Sequence, residues 1–177
     1  MDTMDLRFPI GTFEHSGVID NEQRQVWIKH IAKLPKQLKE ATDGLTEEQL
    51  LTPYREGGWN IKQVVHHVAD SHMNSYIRFK LALTEENPSI RPYYEDRWAE
   101  LSDTFDEPIE TSIQLLEVLH RRWATLLSMM TEEQFNRTFF HPESKEVVSL
   151  CTNLGIYSWH GRHHLAHITS LKERMGW

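Results

Sequence analysis

The sequence has a single cysteine, no cluster of basic residues and no long apolar run, and each absence excludes a class of protein. One cysteine, Cys151, cannot form a disulfide within the chain. The first residues, Met1–Asp5, lack the basic-then-apolar order of a signal peptide, so the sequence predicts a cytoplasmic protein. A formal net charge of −7 argues against nucleic acid or an anionic membrane as a partner. No apolar segment is long enough to span a bilayer.

The composition is that of a globular protein. With 39% apolar and 25% charged residues, the 177 positions predict one domain (1–177) that is large enough to bury a core. The first 19 residues contain Pro9, Gly11 and Gly17 and have no regular hydrophobic period. They predict an extended N-terminal arm (1–19) that lies on the surface or on a partner subunit.

Apolar residues that recur every three to four positions predict four long helices, at about 20–41, 60–83, 107–130 and 149–175. Pro35 lies inside the first of them and predicts a kink or a break there. The segment from about 84 to 106 is too long for a tight turn between antiparallel neighbours. The sequence therefore predicts an all-α four-helix bundle with a long crossover between helices 2 and 3, which run parallel.

Two pairs of short segments resemble each other and indicate a weak internal repeat. Leu45–Leu50 resembles Met130–Phe135, and each follows a long helix. His66–Ala69 similarly resembles His163–Ala166. Two helix pairs related by a pseudo-twofold axis would produce this pattern.

Histidines four residues apart in the last helix indicate a metal site. His160 pairs with His164, and His163 pairs with His167, so either pair can present two imidazoles on one helix face. On a helical wheel, His164 lies on the apolar seam of the helix and His160 lies at the edge of that seam. His163 and His167 lie farther from it. The sequence therefore favours His160 and His164 as the metal-binding pair.

A catalytic zinc site usually has three protein ligands, so a third is needed. The second helix offers His66, His67 and His72. The helical wheel favours His72, which lies in the middle of the seam, whereas the internal repeat matches His67 to His164. The residues alone leave this choice open.

The chain resembles the DinB-like superfamily in three segments, which are 58–72, 157–164 and Phe8–Gly11. Within it, the chain is similar to the YfiT-type proteins of Bacillus relatives, which are described as metal-dependent hydrolases and as bacillithiol S-transferases. The resemblance implies a four-helix bundle and one divalent metal ion per chain. Matched position by position, it implies that His67, His160 and His164 are the ligands. His72 then becomes a core residue or a support for a ligand, and Asp70 a hydrogen-bond partner nearby.

Three neutral imidazoles leave a divalent cation its full charge, so a bound water has a pKa near about 7 and a bound thiol is deprotonated. The first case gives a hydrolase and the second an S-transferase. The residues do not choose between them, and the resemblance favours transfer of a bacillithiol-like thiol to a small electrophile. A non-catalytic metal-binding bundle is a further alternative. Because His160 is followed by Gly161 rather than glutamate, a zincin-type metallopeptidase is disfavoured.

The expected cofactor and partners follow from this hypothesis. Imidazole ligands suit zinc, nickel, copper and iron, and zinc is the default prediction, with nickel as the alternative. The expected substrates are a small-molecule thiol, an electrophile, or both. The sequence names no general base. The arm and the aromatic residues of the crossover predict a homodimer, because they offer apolar surface.

Overall fold

A computed structural model describes residues 5–177, in which four long helices form a bundle. The elements are α1 (Asn21–Thr42), α2 (Glu47–Leu50), α3 (Ile61–Thr84), α4 (Glu95–Trp98), α5 (Ser102–Asp106), α6 (Ile109–Met129), α7 (Glu132–Phe135), β1 (Thr138–His141), β2 (Glu146–Ser149) and α8 (Leu150–Met175). The four-helix architecture is confirmed, and the long helices are α1, α3, α6 and α8. Of the predicted arm, residues 5–19 contain no helix or strand, and 1–4 lie outside the described residues.

Side-chain contacts give the direction of α3 relative to α6. His66 contacts Ser112 near the start of both helices, and His72 contacts His120 farther along both. The two helices therefore run parallel, as the length of the crossover predicts. The crossover between them contains the short helices α4 and α5.

The last helix runs against α3 in the opposite direction. Asn153 donates to Ser75, and Tyr157, one turn later in α8, meets Ser71, one turn earlier in α3. This antiparallel packing brings the first turns of α3 against the middle of α8. It is the reason that histidines distant in sequence meet.

A layer of buried histidines divides the apolar core in two. One cluster contains Trp27, Phe79, Trp123 and Leu154, and the other contains Leu34, Val65, Leu116 and Ile168. In each long helix except α1, histidine occupies the positions between the two apolar groups. Polar groups so deeply buried need partners, and within this layer His72 is hydrogen-bonded to both His120 and His160.

Two features of the structure differ from what the sequence predicts. Of the kink or break predicted at Pro35, the break is wrong, because α1 continues through Pro35 to Thr42, and the kink stays a prediction. The antiparallel hairpin of β1 and β2 was not predicted, since each strand has only four residues and a weak alternation. Two main-chain hydrogen bonds attach the crossover to this hairpin: Ile90 N–H donates to the carbonyl of Phe140, and Phe140 N–H donates to the carbonyl of Pro88.

The internal repeat corresponds to two similar helix starts. Thr46 caps α2 and Thr131 caps α7, and each forms a reciprocal capping box, with Gln49 and Gln134 respectively. Among the helices of residues 5–177, none combines the length and the apolar character needed to cross a membrane.

Candidate metal centre

The structure brings together the three histidines that the resemblance implies. His160 and His164 lie one turn apart on α8, and His67 faces them from the second turn of α3. One ring nitrogen of each lies within 4.8 Å of the others. The Nε2 atoms of His67 and His160 are 3.2 Å apart. This cluster of His67, His160 and His164 is called the metal cluster below.

Burial keeps the rings of the metal cluster neutral. Desolvation, together with the smaller effect of the nearby rings of His163 and His167, lowers the pKa of His67 to about 4. Desolvation likewise holds the pKa of His160 and of His164 well below the usual value. A neutral imidazole has a free lone pair, the state in which it binds a metal.

His72 lies behind the metal cluster rather than in it. Its Nε2 is 3.0 Å from Nδ1 of His160, and its side chain is completely buried. The helical wheel correctly put His72 in the core, and the repeat selected His67, whose ring nitrogen belongs to the metal cluster. Asp70, expected nearby as a hydrogen-bond partner, instead lies close enough to Asp103 to be affected by its charge, and burial raises its pKa to about 6.

His163 and His167 are also buried, although the helical wheel placed both away from the seam. Trp159 stacks on His163 at 4.4 Å between ring centroids, and Tyr54 stacks on His167 at 3.9 Å. Nε2 of His167 lies 3.1 Å from the carbonyl oxygen of Arg7 in the arm. Tyr54 and the arm lie outside α8, so sequence periodicity within α8 carries no information about how they cover His167.

His163, His164 and His167 form a second group whose nitrogens also lie within 4.8 Å of one another. Because the Arg7 carbonyl only accepts, His167 donates from Nε2 and has a lone pair at Nδ1. Nδ1 of His164, 3.3 Å away, donates to that lone pair. His164 then keeps Nε2 for the metal cluster. We therefore interpret His167 as a support for His164.

The metal cluster fits a divalent cation with an open coordination position. Three neutral nitrogen donors converge from two helices, and among the described residues the cluster includes no fourth side chain. Three protein ligands are typical of catalytic zinc sites, whereas structural sites have four. Imidazole ligands also suit nickel, copper and iron.

Two cavities meet at the metal cluster. One, of about 490 Å³, is lined by the rings of the cluster together with Trp59 and Trp159. The other, of about 570 Å³, lies between α3, the crossover, the hairpin and α8. His160, Glu95 and Asp96 belong to the walls of both. The cluster therefore borders two spaces, each large enough for a small molecule.

Comparison with protein-family models matches residues 30–168 to the model described as the DinB superfamily. The chain belongs to the DinB superfamily. Among relatives in this superfamily, "Putative metal-dependent hydrolase YfiT" of Bacillus subtilis (strain 168) is 51% identical over 177 residues, which cover 100% of this chain and 99% of that protein. A relative from Bacillus mycoides (strain KBAB4) is 54% identical over 173 residues, 98% of this chain and 99% of the relative, and it is also named a "Putative metal-dependent hydrolase".

A solved structure agrees with the fold of this DinB-superfamily chain. YfiT from Bacillus subtilis, described as "a probable metal-dependent hydrolase with an unusual four-helix bundle topology", superposes with a TM-score of 0.95 at 52% sequence identity. The match covers 98% of this chain and 99% of that chain. The resemblance and the bundle fold are thus confirmed, and the relatives' names agree with a cluster that could hold a metal ion.

Proposed function

We propose that this chain is a metal-dependent enzyme that joins a low-molecular-weight, bacillithiol-like thiol to a small electrophile. The observation that carries the proposal is the pair of cavities that share His160 in their walls. Transfer requires two organic molecules side by side at the reacting centre, whereas hydrolysis requires one and a water. Two separate spaces beside one cluster meet the first requirement.

His67, His160 and His164 would hold one divalent cation, for which zinc is the proposed identity. Such a cation supplies Lewis acidity, which lowers the pKa of a coordinated thiol or water. The three neutral rings carry no negative charge, so the ligands themselves leave its double charge uncompensated. Burial of the rings excludes water from the side of the cluster that faces the core, so an incoming molecule approaches from the cavities.

The reacting sulfur must come from a substrate. The only cysteine, Cys151, is buried beside Arg24, and burial raises the pKa of its thiol. Among the described residues that line the two cavities, Cys151 is not present. In the transfer to an alkyl halide, the sulfur–carbon bond forms with the electron pair of the thiolate. The carbon–halogen bond breaks, the halide leaves with the bonding pair, and the thiol proton passes to solvent.

Hydrolysis is the second candidate, and the names of the relatives from Bacillus subtilis and Bacillus mycoides favour it. It would use the same three histidines with a single organic substrate. A non-catalytic metal-binding bundle is the third candidate, and it would require a closed coordination shell.

Metal-dependent conjugation tests the proposal. We expect zinc-loaded protein to couple bacillithiol to a haloalkyl bimane, with fluorescence as the readout, and we expect a chelator or the variant His160→Ala to abolish the reaction. Ester and amide substrates are assayed in parallel with the same samples. Metal-dependent hydrolysis without conjugation would establish the second candidate. Metal binding without either reaction would leave the third.

We also propose that the chain forms a homodimer and acts in the cytoplasm. Phe8 and Ile10 of the arm and Tyr94 of the crossover have exposed apolar side chains, which supports association. Sedimentation velocity tests the first point, since a particle with the mass of one chain would contradict it. Cell fractionation tests the second.

A further inference from the structure

Two buried imidazoles, those of His120 and His72, connect helix α1 to His160 of the metal cluster. Pro35 has no N–H, so the carbonyl of Ile31, four residues earlier, lacks its usual helical donor. Nδ1 of His120 lies 2.6 Å from that carbonyl oxygen. Because a carbonyl oxygen only accepts hydrogen bonds, His120 donates from Nδ1.

The direction of this first hydrogen bond determines the next two. A neutral imidazole has one N–H, so Nε2 of His120 accepts, and Nδ1 of His72, 3.0 Å away, donates to it. Nε2 of His72 accepts in turn from Nδ1 of His160, also at 3.0 Å. His160 is then unprotonated at Nε2, the atom that lies 3.2 Å from Nε2 of His67.

We propose that His120 and His72 are positioning residues that hold His160 in the tautomer whose Nε2 lone pair is free for a cation. The inference rests on the metal site of the proposed function. His72 and His120 are 0% and 1% exposed, so water is not available to supply an alternative donor or acceptor. A His160 ring protonated at Nε2 would turn two lone pairs towards each other at its contact with His72.

The direction of these hydrogen bonds is determined by a main-chain carbonyl group. Water can reverse the hydrogen bonds of an exposed histidine, but the Ile31 carbonyl cannot donate. Pro35 makes this carbonyl available by removing its competitor within α1. A residue that contacts neither a substrate nor the metal cluster thereby affects the state of a ligand.

Side-chain ¹⁵N NMR of the metal-free wild-type protein tests the tautomer directly. We expect His160 to be protonated at Nδ1 and unprotonated at Nε2, and the loss of its signals in His160→Ala assigns them. A proton on Nε2 of His160 would overturn the proposal without reference to any variant of His120.

Two variants of His120 separate the hydrogen-bond order from simple packing. The amide of His120→Gln has one donating and one accepting end, whereas His120→Phe keeps bulk without either. We expect the zinc dissociation constant, measured by competition with a chromophoric chelator, to increase by about 10- to 100-fold for His120→Phe. For His120→Gln we expect a value near that of the wild type. In the phenylalanine variant, NMR should show both tautomers of His160, which a change of packing alone would not produce.

Wild-type zinc affinity together with a single His160 tautomer in His120→Phe would contradict the proposal. If His120→Phe does not fold, the His160 tautomer in the wild-type spectrum and the zinc affinity of His120→Gln still test the proposal. The two proposals fail differently. Protein that binds no zinc but shows the expected tautomer would refute the metal-dependent function alone. Protein that binds zinc but, when metal-free, has His160 protonated at Nε2 would refute the positioning role alone.

Discussion

The Nε2 atoms of His67 and His160 lie 3.2 Å apart, although the two residues are 93 positions apart in the sequence. Two imidazole lone pairs at this distance repel each other unless a proton or a cation lies between them. We therefore expect His67→Ala, His160→Ala and His164→Ala each to lose stoichiometric zinc. Metal analysis of protein dialysed against zinc is the measurement, and a thermal unfolding scan checks that each variant folds.

His163→Ala is the matched control, because His163 is buried on the same helix but belongs only to the second group of histidines. We expect it to retain zinc. If the cation occupied the second group instead, His163→Ala would lose it and His67→Ala would keep it.

Replacement of His67 and replacement of His72, the two candidates for the third ligand, should weaken zinc binding to different extents. His67 supplies a nitrogen to the metal cluster, whereas His72 reaches the cluster only through its hydrogen bond with Nδ1 of His160. We expect His67→Ala to abolish zinc binding and His72→Ala to weaken it by about 10- to 100-fold, as is typical of a partner behind a ligand. Titration with zinc measures both. The reverse order would favour the helical-wheel argument.

The sequence was sufficient to predict most of the fold. The seams of α1, α3, α6 and α8 were long and regular, so their ends were predicted to within about two residues, a usual precision for helix boundaries. The length of the crossover indicated that α3 and α6 run parallel. The hairpin was not predicted, because four-residue strands have too little alternation to be recognised.

The candidate site could be predicted only in part. The seam of α8 selected His160 and His164, and the structure places both beside His67, while their role as ligands stays a prediction. Periodicity could not choose between His67 and His72, because that choice depends on how α3 packs against α8. His120 was not singled out, since a lone histidine on an apolar seam is usual in a core. Pro35, which leaves the Ile31 carbonyl free to accept from His120, lies 85 positions away from His120 in the sequence.

The hairpin wall of the larger cavity offers a test of the two-substrate proposal. Val148 lines that cavity, whereas Val147, its neighbour on β2, points to the other face and is 60% exposed. We expect Val148→Trp to raise the KM for one of the two substrates several-fold and to leave zinc binding unchanged. Val147→Trp is the matched control and should change neither. Steady-state kinetics with each substrate varied in turn measures the effect, and an equal rise for both would contradict separate binding spaces.

Stability of the metal-free protein should depend on pH through His120. Burial lowers the pKa of His120 to about 4, below the value of 6.5 for an unperturbed histidine. Between these values the unfolded chain binds a proton that the folded chain does not, so the free energy of unfolding decreases as the pH falls from about 6.5 towards about 4. The full contribution, on the order of 3 kcal/mol, is present above about pH 7. Urea unfolding in the presence of a chelator should give a shallower pH dependence for His120→Gln. An identical dependence in both proteins would contradict this shift.

The close approach of α1 to α8 next to the metal cluster depends on Gly161. A Cβ atom at this position would lie 2.5 Å from Cδ2 of Leu34, a side chain that is only 2% exposed and packed on all sides. Alanine gains about 1 kcal/mol of helix propensity over glycine, but overpacking a filled core typically costs about 1 to 3 kcal/mol. We expect Gly161→Ala to be destabilising, as measured by urea unfolding. In the background of Leu34→Ala the clash is removed, so there the same substitution should be neutral or stabilising. Equal effects of Gly161→Ala in the two backgrounds would show that the contact with Leu34 does not limit this position.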